Sequence, residues 1–182
     1  MRKGVVSLVV ATLAAVNTAW AADYPKPYES TYETNIDGYG TQQIHYLCDG
    51  KGHVRTETTD PKGEVSVNLM DYPQHTITTT TIINGQKRFM KSPLPDYEGT
   101  AAYKQGAKEL GAKEIDGHPC HGYETTYKNG QVNQIWTDDK TDCAILTLGL
   151  GPGPKITTKM KSYVDTAPTF SMELPGDYKL YP

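Results

Sequence analysis

The chain has 182 residues, with 18 Lys and Arg against 21 Asp and Glu, so its formal net charge is −3. This weakly acidic balance, without a basic patch, speaks against nucleic acid or an anionic membrane surface as a partner. The length suits one domain with a sizeable core.

Residues 1–21 have the pattern of a secretory signal peptide. Two basic residues precede an apolar run from Val5 to Val16, and Ala19-Trp20-Ala21 places small residues where a signal peptidase reads. The run is shorter than the ~20 residues of a membrane span, and no second apolar run follows. We therefore predict a periplasmic protein without a lipid anchor, in which 22–182 form a single domain.

Short alternating segments separated by turn signals fill the first half of the chain. Asp-Gly, Asp-Pro and Asn-Gly pairs separate β-prone runs, with Asn84-Gly85 as a hairpin turn. Strands at this spacing indicate an antiparallel meander rather than βαβ units. The predicted strands are Thr41–Asp49, His53–Thr59, Glu64–Asp71, His75–Ile83 and Gln86–Ser92.

The second half contains the one segment that suggests a helix. Pro93-Leu94-Pro95 breaks the sheet, and Ala-rich Thr100–Leu110 predicts a short helix that ends at Gly111. Further strands are predicted at Cys143–Leu148, Lys155–Val164 and Thr169–Leu174. The expected fold class is mainly β (α+β), with a single curved antiparallel sheet, an unclosed half-barrel, and one or a few short helices.

Asn129-Gly130 predicts a second hairpin, because a two-residue type I′ turn needs positive φ at both central residues. In that register Tyr127 pairs with Val132 and Tyr123 pairs with Trp136. Both pairs then lie on the same face, since side chains alternate along a strand. This aromatic face is either a ligand surface or an ordinary packed core.

Three cysteines, Cys48, Cys120 and Cys143, belong to a chain bound for an oxidising compartment, where one disulfide and one free thiol is the natural count. Three pairings are possible. Cys120–Cys143 is favoured, because the predicted register and the acidic turn 138–142 could bring these two residues together. Cys48 would then be a buried thiol.

Motifs that carry chemistry are weak in this sequence. In His118-Pro119-Cys120-His121 only His118 and Cys120 can share a strand face, and two ligands do not make a zinc site. Asp138, Asp139 and Asp142 could bind calcium, but aspartates are common in turns for local hydrogen bonding. No phosphate-binding loop, cofactor motif or nucleophile motif is present. We predict no catalytic residues, no metal, no cofactor and no enzyme activity.

The order of features resembles the LolA/LolB-like superfamily, which includes periplasmic lipoprotein carriers and secreted relatives of unknown function. The resemblance extends over most of 31–180 and is closer to those relatives than to the carriers. Its distinctive parts are the Gly-x-x-Cys-x-x-Tyr…Trp hairpin, with Gly117, Cys120, Tyr123 and Trp136, and the ending Phe170…Leu174-Pro175-Gly176-Asp177-Tyr178.

The resemblance implies a curved open sheet around a helical lid, with an apolar cavity that accepts acyl chains. By this analogy Tyr123, Tyr127, Val132 and Trp136 line the concave face, and Arg55 corresponds to an arginine that helps to regulate the carriers' lid. The expected partner is a lipid or an acylated lipoprotein.

Two functions follow as hypotheses. The first is a periplasmic binding protein for a hydrophobic ligand, which needs no catalytic group because apolar burial alone supplies ~0.8 kcal/mol per methylene. The alternative is an envelope module, such as a stress sensor, that binds another protein through the sheet or its edge. A small secreted enzyme that uses a thiol or a metal is a more distant third.

Overall fold

The computed structural model describes residues 24–83, 85–95 and 104–181. Within these ranges the chain forms twelve strands. They are β1 (Tyr28–Ile36), β2 (Gly40–Cys48), β3 (His53–Thr59), β4 (Val65–Asp71), β5 (Thr76–Ile83), β6 (Gln86–Pro93), β7 (Lys108–Ile115), β8 (His118–Thr126), β9 (Val132–Asp138), β10 (Ala144–Leu150), β11 (Ile156–Val164) and β12 (Lys179–Leu180).

All twelve strands belong to one sheet, in the order β12-β6-β5-β4-β3-β2-β1-β11-β10-β9-β8-β7. Neighbouring strands are antiparallel except for β12, which pairs parallel with β6. The two edge strands β12 and β7 are not paired with each other, so the sheet is open. Register shifts at Thr31/Tyr32, Glu109/Gly111 and Ala144/Leu146 are β-bulges, which increase local twist and bending. The predicted single, unclosed antiparallel sheet is confirmed.

The turns of the first meander form as their sequences indicate. Asp49 Oδ1 accepts hydrogen bonds from the backbone N–H groups of Lys51 and His53 (2.7 and 3.1 Å). Asp60 closes the next turn in the same way. Ile83 pairs with Gln86, which leaves a two-residue connection at the predicted Asn84-Gly85 hairpin, although Asn84 lies outside the described residues.

Two elements of the second half differ from the prediction. The predicted helix over 100–110 lies partly outside the described residues, and its last residues, from Lys108, belong to β7. The predicted strand at Thr169–Leu174 does not form. That segment instead crosses the sheet, where Arg55 Nη1 donates a hydrogen bond to the Ser171 carbonyl (3.0 Å).

We name the two faces of the sheet by the residues of β1. The inner face carries Tyr28, Tyr32 and Thr34, and the outer face carries the alternate positions, including Glu29 and Glu33. Leu47, Val67 and Leu69 are buried on the outer face. There the C-terminal segment crosses from Arg55 on β3 to Lys87 on β6, and Lys87 pairs with Asp177 at 2.7 Å.

Among the described residues no helix has the length and apolar character needed to span a membrane. The predicted signal peptide lies outside the described residues.

Candidate functional site

A tyrosine-rich cluster occupies the inner face between β11 and β5. The Tyr28 ring stacks on Tyr46 and Tyr163, with centroid distances of 5.7 and 5.6 Å. Burial raises the pKa of Tyr28 and Tyr163, so their hydroxyls stay protonated. The buried members are Tyr28, Tyr32, Ile44, Tyr46, Cys48, Val54 and Met70.

Partly buried apolar side chains surround this cluster and extend its apolar surface. They come from β5, β11 and two loops, so several separate segments contribute to one patch. These residues are Tyr72, Ile77, Leu94, Met160 and Tyr163. We call the cluster and its surround the tyrosine face.

The hairpin between β8 and β9 forms with a register that differs from the predicted one by one residue. Tyr127 N donates to the Gln131 carbonyl (2.8 Å) and Gly130 N donates to the Tyr127 carbonyl (2.9 Å). Gly130 has φ +82°, whereas Asn129 is not among the positive-φ residues. The connection is therefore a three-residue loop with a glycine in the left-handed region, not a two-residue type I′ turn.

This shift separates the four residues predicted to form one face. Tyr123 pairs with Ile135, and Trp136 pairs with Gly122, so Tyr123 and Trp136 point to opposite faces of the hairpin. Val132 pairs with Thr126 and shares the face of Trp136. Tyr127 lies in the loop and is 48% exposed. The prediction of a shared aromatic face is wrong, and a ligand contact by any of the four stays a prediction.

Trp136 is 7% exposed and belongs to a second packed cluster, with Cys120 and Ile145. Its ring lies against Gly122, and the Nζ atom of Lys113 on β7 stands 3.6 Å from the ring centroid. Met160 packs against both clusters. Trp136 is thus a core residue of the second cluster rather than a member of the tyrosine face.

The predicted disulfide between Cys120 and Cys143 is absent, and none of the three cysteines forms a disulfide with another described residue. Cys120 pairs with Asp138 on one side of β9, and Asp138 N donates to the Cys143 carbonyl on the other side (2.9 Å). Two strand spacings amount to about 9–10 Å, beyond the ~7 Å limit for the Cα atoms of a disulfide. Burial raises the pKa of Cys48 and Cys120 to about 11 and that of Cys143 to about 12, so the thiols are poor nucleophiles.

The acidic turn after β9 uses its carboxylates for local structure. Asp138 Oδ1 accepts hydrogen bonds from the backbone of Lys140 and Thr141 and from the Thr141 hydroxyl. Its Oδ2 lies 2.9 Å from His118 Nδ1. Burial opposes ionisation, but these hydrogen bonds outweigh it and lower the pKa of Asp138. No group of three or more metal-ligating side chains occurs within the described ranges 24–83, 85–95 and 104–181.

The side chain of Arg55 points away from the tyrosine face. It lies on the outer face, where it forms an ion pair with Glu57 (2.7 Å) and holds the C-terminal segment through Ser171. The structure therefore gives Arg55 a role in anchoring the tail over the outer face, and the analogy with a lid-regulating arginine fails at this position.

The residues that sequence reasoning missed are those of β1. The run from Tyr28 to Ile36 alternates buried and less buried positions along its whole length. Tyrosines at positions 28 and 32 share this alternation with Ile36, and this period of two is present in the sequence. Pro25 and Pro27 lie just before this run, and they suggest an extended lead-in that continues to Ser30 rather than the start of a strand at Tyr28.

Comparisons with known proteins show the fold and not the activity. No family model matches the chain, and no curated protein matches it in sequence. Among solved structures, an uncharacterised conserved protein from Thermus thermophilus matches 86% of this chain and 90% of its own, with 10% identity and TM-score 0.64. MucB from Pseudomonas aeruginosa, solved in complex with MucA, matches 83% of this chain with 13% identity and TM-score 0.54.

This chain covers 56% of the matched MucB chain. A LolA superfamily protein from Nitrosomonas europaea also matches, over 80% of this chain and 88% of its own, with 8% identity and TM-score 0.39. The matches with the Thermus thermophilus protein and with MucB show that this chain shares their fold.

Proposed function

We propose that the protein is a non-enzymatic binding protein of the bacterial periplasm that holds a hydrophobic ligand against the tyrosine face. The observation that carries this proposal is the half-buried apolar surround of that face. Tyr72 and Leu94 come from loops and pack, only partly buried, against the buried residues of the tyrosine face. Partly buried side chains of this kind can move apart to admit a ligand at a lower free-energy cost than the side chains of a closed core.

The energetics of this mode of binding require no charged or catalytic group. Burying apolar surface contributes roughly 25 cal/mol per Å², so an acyl chain laid along aromatic and methionine side chains gains affinity from contact area. Methionine adapts to ligands of irregular shape, and Met160 lies between the two clusters. The high pKa of the thiols fits this non-covalent role.

Export by the predicted signal peptide would place the protein where lipids and acylated lipoproteins are its potential ligands. The structural likeness to MucB adds a second candidate function, a protein-binding module, because MucB was solved in complex with MucA. The β7 edge speaks against binding by strand addition. It is rich in Lys and Glu and carries a bulge between Glu109 and Gly111, features that discourage pairing with another strand.

Native mass spectrometry of protein purified from its own periplasm tests the proposal. We expect a co-purified lipid mass that disappears after organic extraction. Leu94→Asp places a charge in the surround of the tyrosine face and should abolish the lipid peak. Val65→Asp, on the exposed outer face, should retain it. A lipid-free protein that carries a stable protein partner would overturn the ligand proposal in favour of the module.

A further inference from the structure

A row of four polar side chains crosses the inner face next to the tyrosine face. Gln42 on β2 pairs with Thr34 on β1, Thr34 pairs with Thr158 on β11, and Thr158 pairs with Thr147 on β10. Directly paired residues share a face, so the four lie side by side. All four are buried, and none carries a charge.

The two middle members satisfy each other, whereas the outer two do not. Thr34 Oγ1 and Thr158 Oγ1 form a buried hydrogen bond of 2.9 Å. Gln42 Oε1 and Thr147 Oγ1 have no hydrogen-bond partner among the residues that the structure describes, although the two residues are only 6% and 8% exposed. An unpaired buried polar atom is unfavourable, and native proteins seldom retain one without a reason.

Apolar residues border the row on both sides. On one side, Ile44, Tyr32 and Met160 of the tyrosine face form the next set of cross-strand partners, and on the other side Ile36 pairs with Ile156. A charged ligand group would have to lose its hydration here without a counter-ion, which is strongly unfavourable. A neutral polar group would complete the missing hydrogen bonds.

We propose that this polar row is the headgroup subsite of the ligand, and that it selects an uncharged amphiphile such as a monoacylglycerol. The inference rests on the proposed function, in which the acyl chain lies on the tyrosine face. Gln42 and Thr147 stand three strand spacings apart, about 14 Å at the backbone. A group that serves both needs more than one polar function, as a glycerol ester has with its two hydroxyls and ester carbonyl.

The test compares three probes on the full chain stripped of lipid. Binding of 1-N-phenylnaphthylamine reports the apolar surface, and its displacement by 1-monolauroylglycerol or by laurate reports the headgroup. We expect the neutral ester to bind about tenfold or more tightly than the carboxylate of the same chain length. Thr147→Val and Gln42→Met should weaken the binding of monolauroylglycerol about three- to tenfold and leave the binding of 1-N-phenylnaphthylamine unchanged.

Thr78→Val is the matched control, because Thr78 is equally buried but lies on the outer face. This substitution should leave the binding of all three probes unchanged. If Thr147→Val and Gln42→Met bind monolauroylglycerol as tightly as the native protein, the row is a structural feature and the inference fails, while the proposed function stands. If the native protein binds none of the three probes, both the inference and the proposed function are wrong.

Discussion

The Trp136 ring lies directly on Gly122, its cross-strand partner. A Cβ atom added at Gly122 would stand 2.7 Å from three carbons of the ring, a distance that real Cβ atoms essentially never show. Lys113 on β7, the strand beyond β8, covers the ring, with Nζ 3.6 Å from the ring centroid. Glycine at 122 is thus the condition that allows the tryptophan to lie flat on the sheet.

Gly122→Ala should therefore displace the ring and destabilise the protein by about 1–3 kcal/mol, the usual range for overpacking. Urea unfolding followed by tryptophan fluorescence measures the change. Gly176→Ala is the control, since no atom of the described part of the chain lies within 4 Å of a Cβ at that position. Equal stability of the two variants would contradict the packing described here.

The pairing of Trp136 with Gly122 shows how much of the site could be predicted from the sequence. The presence of a hairpin at Asn129-Gly130 is evident from the sequence, because few other dipeptides favour a tight turn so strongly. The sequence does not distinguish a two-residue turn from a three-residue loop with a left-handed glycine. Since side chains alternate with a period of two, that single residue moves Tyr123 away from the face of Trp136.

The loop geometry itself can be tested at Gly130. Its φ of +82° lies in the left-handed region, and among the described residues an added Cβ would meet only Pro152, at 3.8 Å. Gly130→Ala should cost about 1–2 kcal/mol through backbone strain alone. Gly130→Asn should recover part of this loss, because asparagine tolerates that region better. Thermal unfolding of the two variants measures the difference, and a fully stable Gly130→Ala would contradict the assigned turn.

The meander of the first half is easier to predict, for a physical reason. Strands such as His53–Thr59 alternate regularly and end at turns whose aspartates bond to the backbone two and four residues on. Strand β7 is harder to predict, because Lys108–Ile115 lacks β-branched residues before Ile115 and joins the sheet through a bulge between Glu109 and Gly111. The helix predicted for its first three residues, Lys108–Leu110, follows from intrinsic propensity, which pairing with β8 overrides.

The thiols offer a third prediction. Because burial raises the pKa of Cys48, Cys120 and Cys143 to about 11 or 12, the native protein should react with a thiol reagent at pH 8 at a small fraction of the rate of a free cysteine. Unfolding in guanidinium should expose three reactive thiols. A single reactive thiol in the unfolded protein would show that the other two cysteines form a disulfide, and this would contradict the structure.

The last prediction concerns acid stability at the turn after β9. The hydrogen bonds that Asp138 accepts lower its pKa in the folded protein, so its stabilising contribution is present above the unfolded pKa of about 4. This contribution is lost as the pH falls through the lower, folded pKa. Asp138→Asn should remove about 1–3 kcal/mol at pH 7 and flatten the decline in stability below pH 4.

Asp177→Asn is the matched control for this experiment. Its hydrogen bond with Lys87 also lowers the pKa of Asp177, but both side chains are exposed, so solvent and salt screen the pair. Urea midpoints at pH 7, 5 and 3 should therefore hardly change in this variant. If Asp138→Asn behaves in the same way, the turn does not depend on the ionised carboxylate, and the assigned role of the His118 and Thr141 hydrogen bonds is wrong.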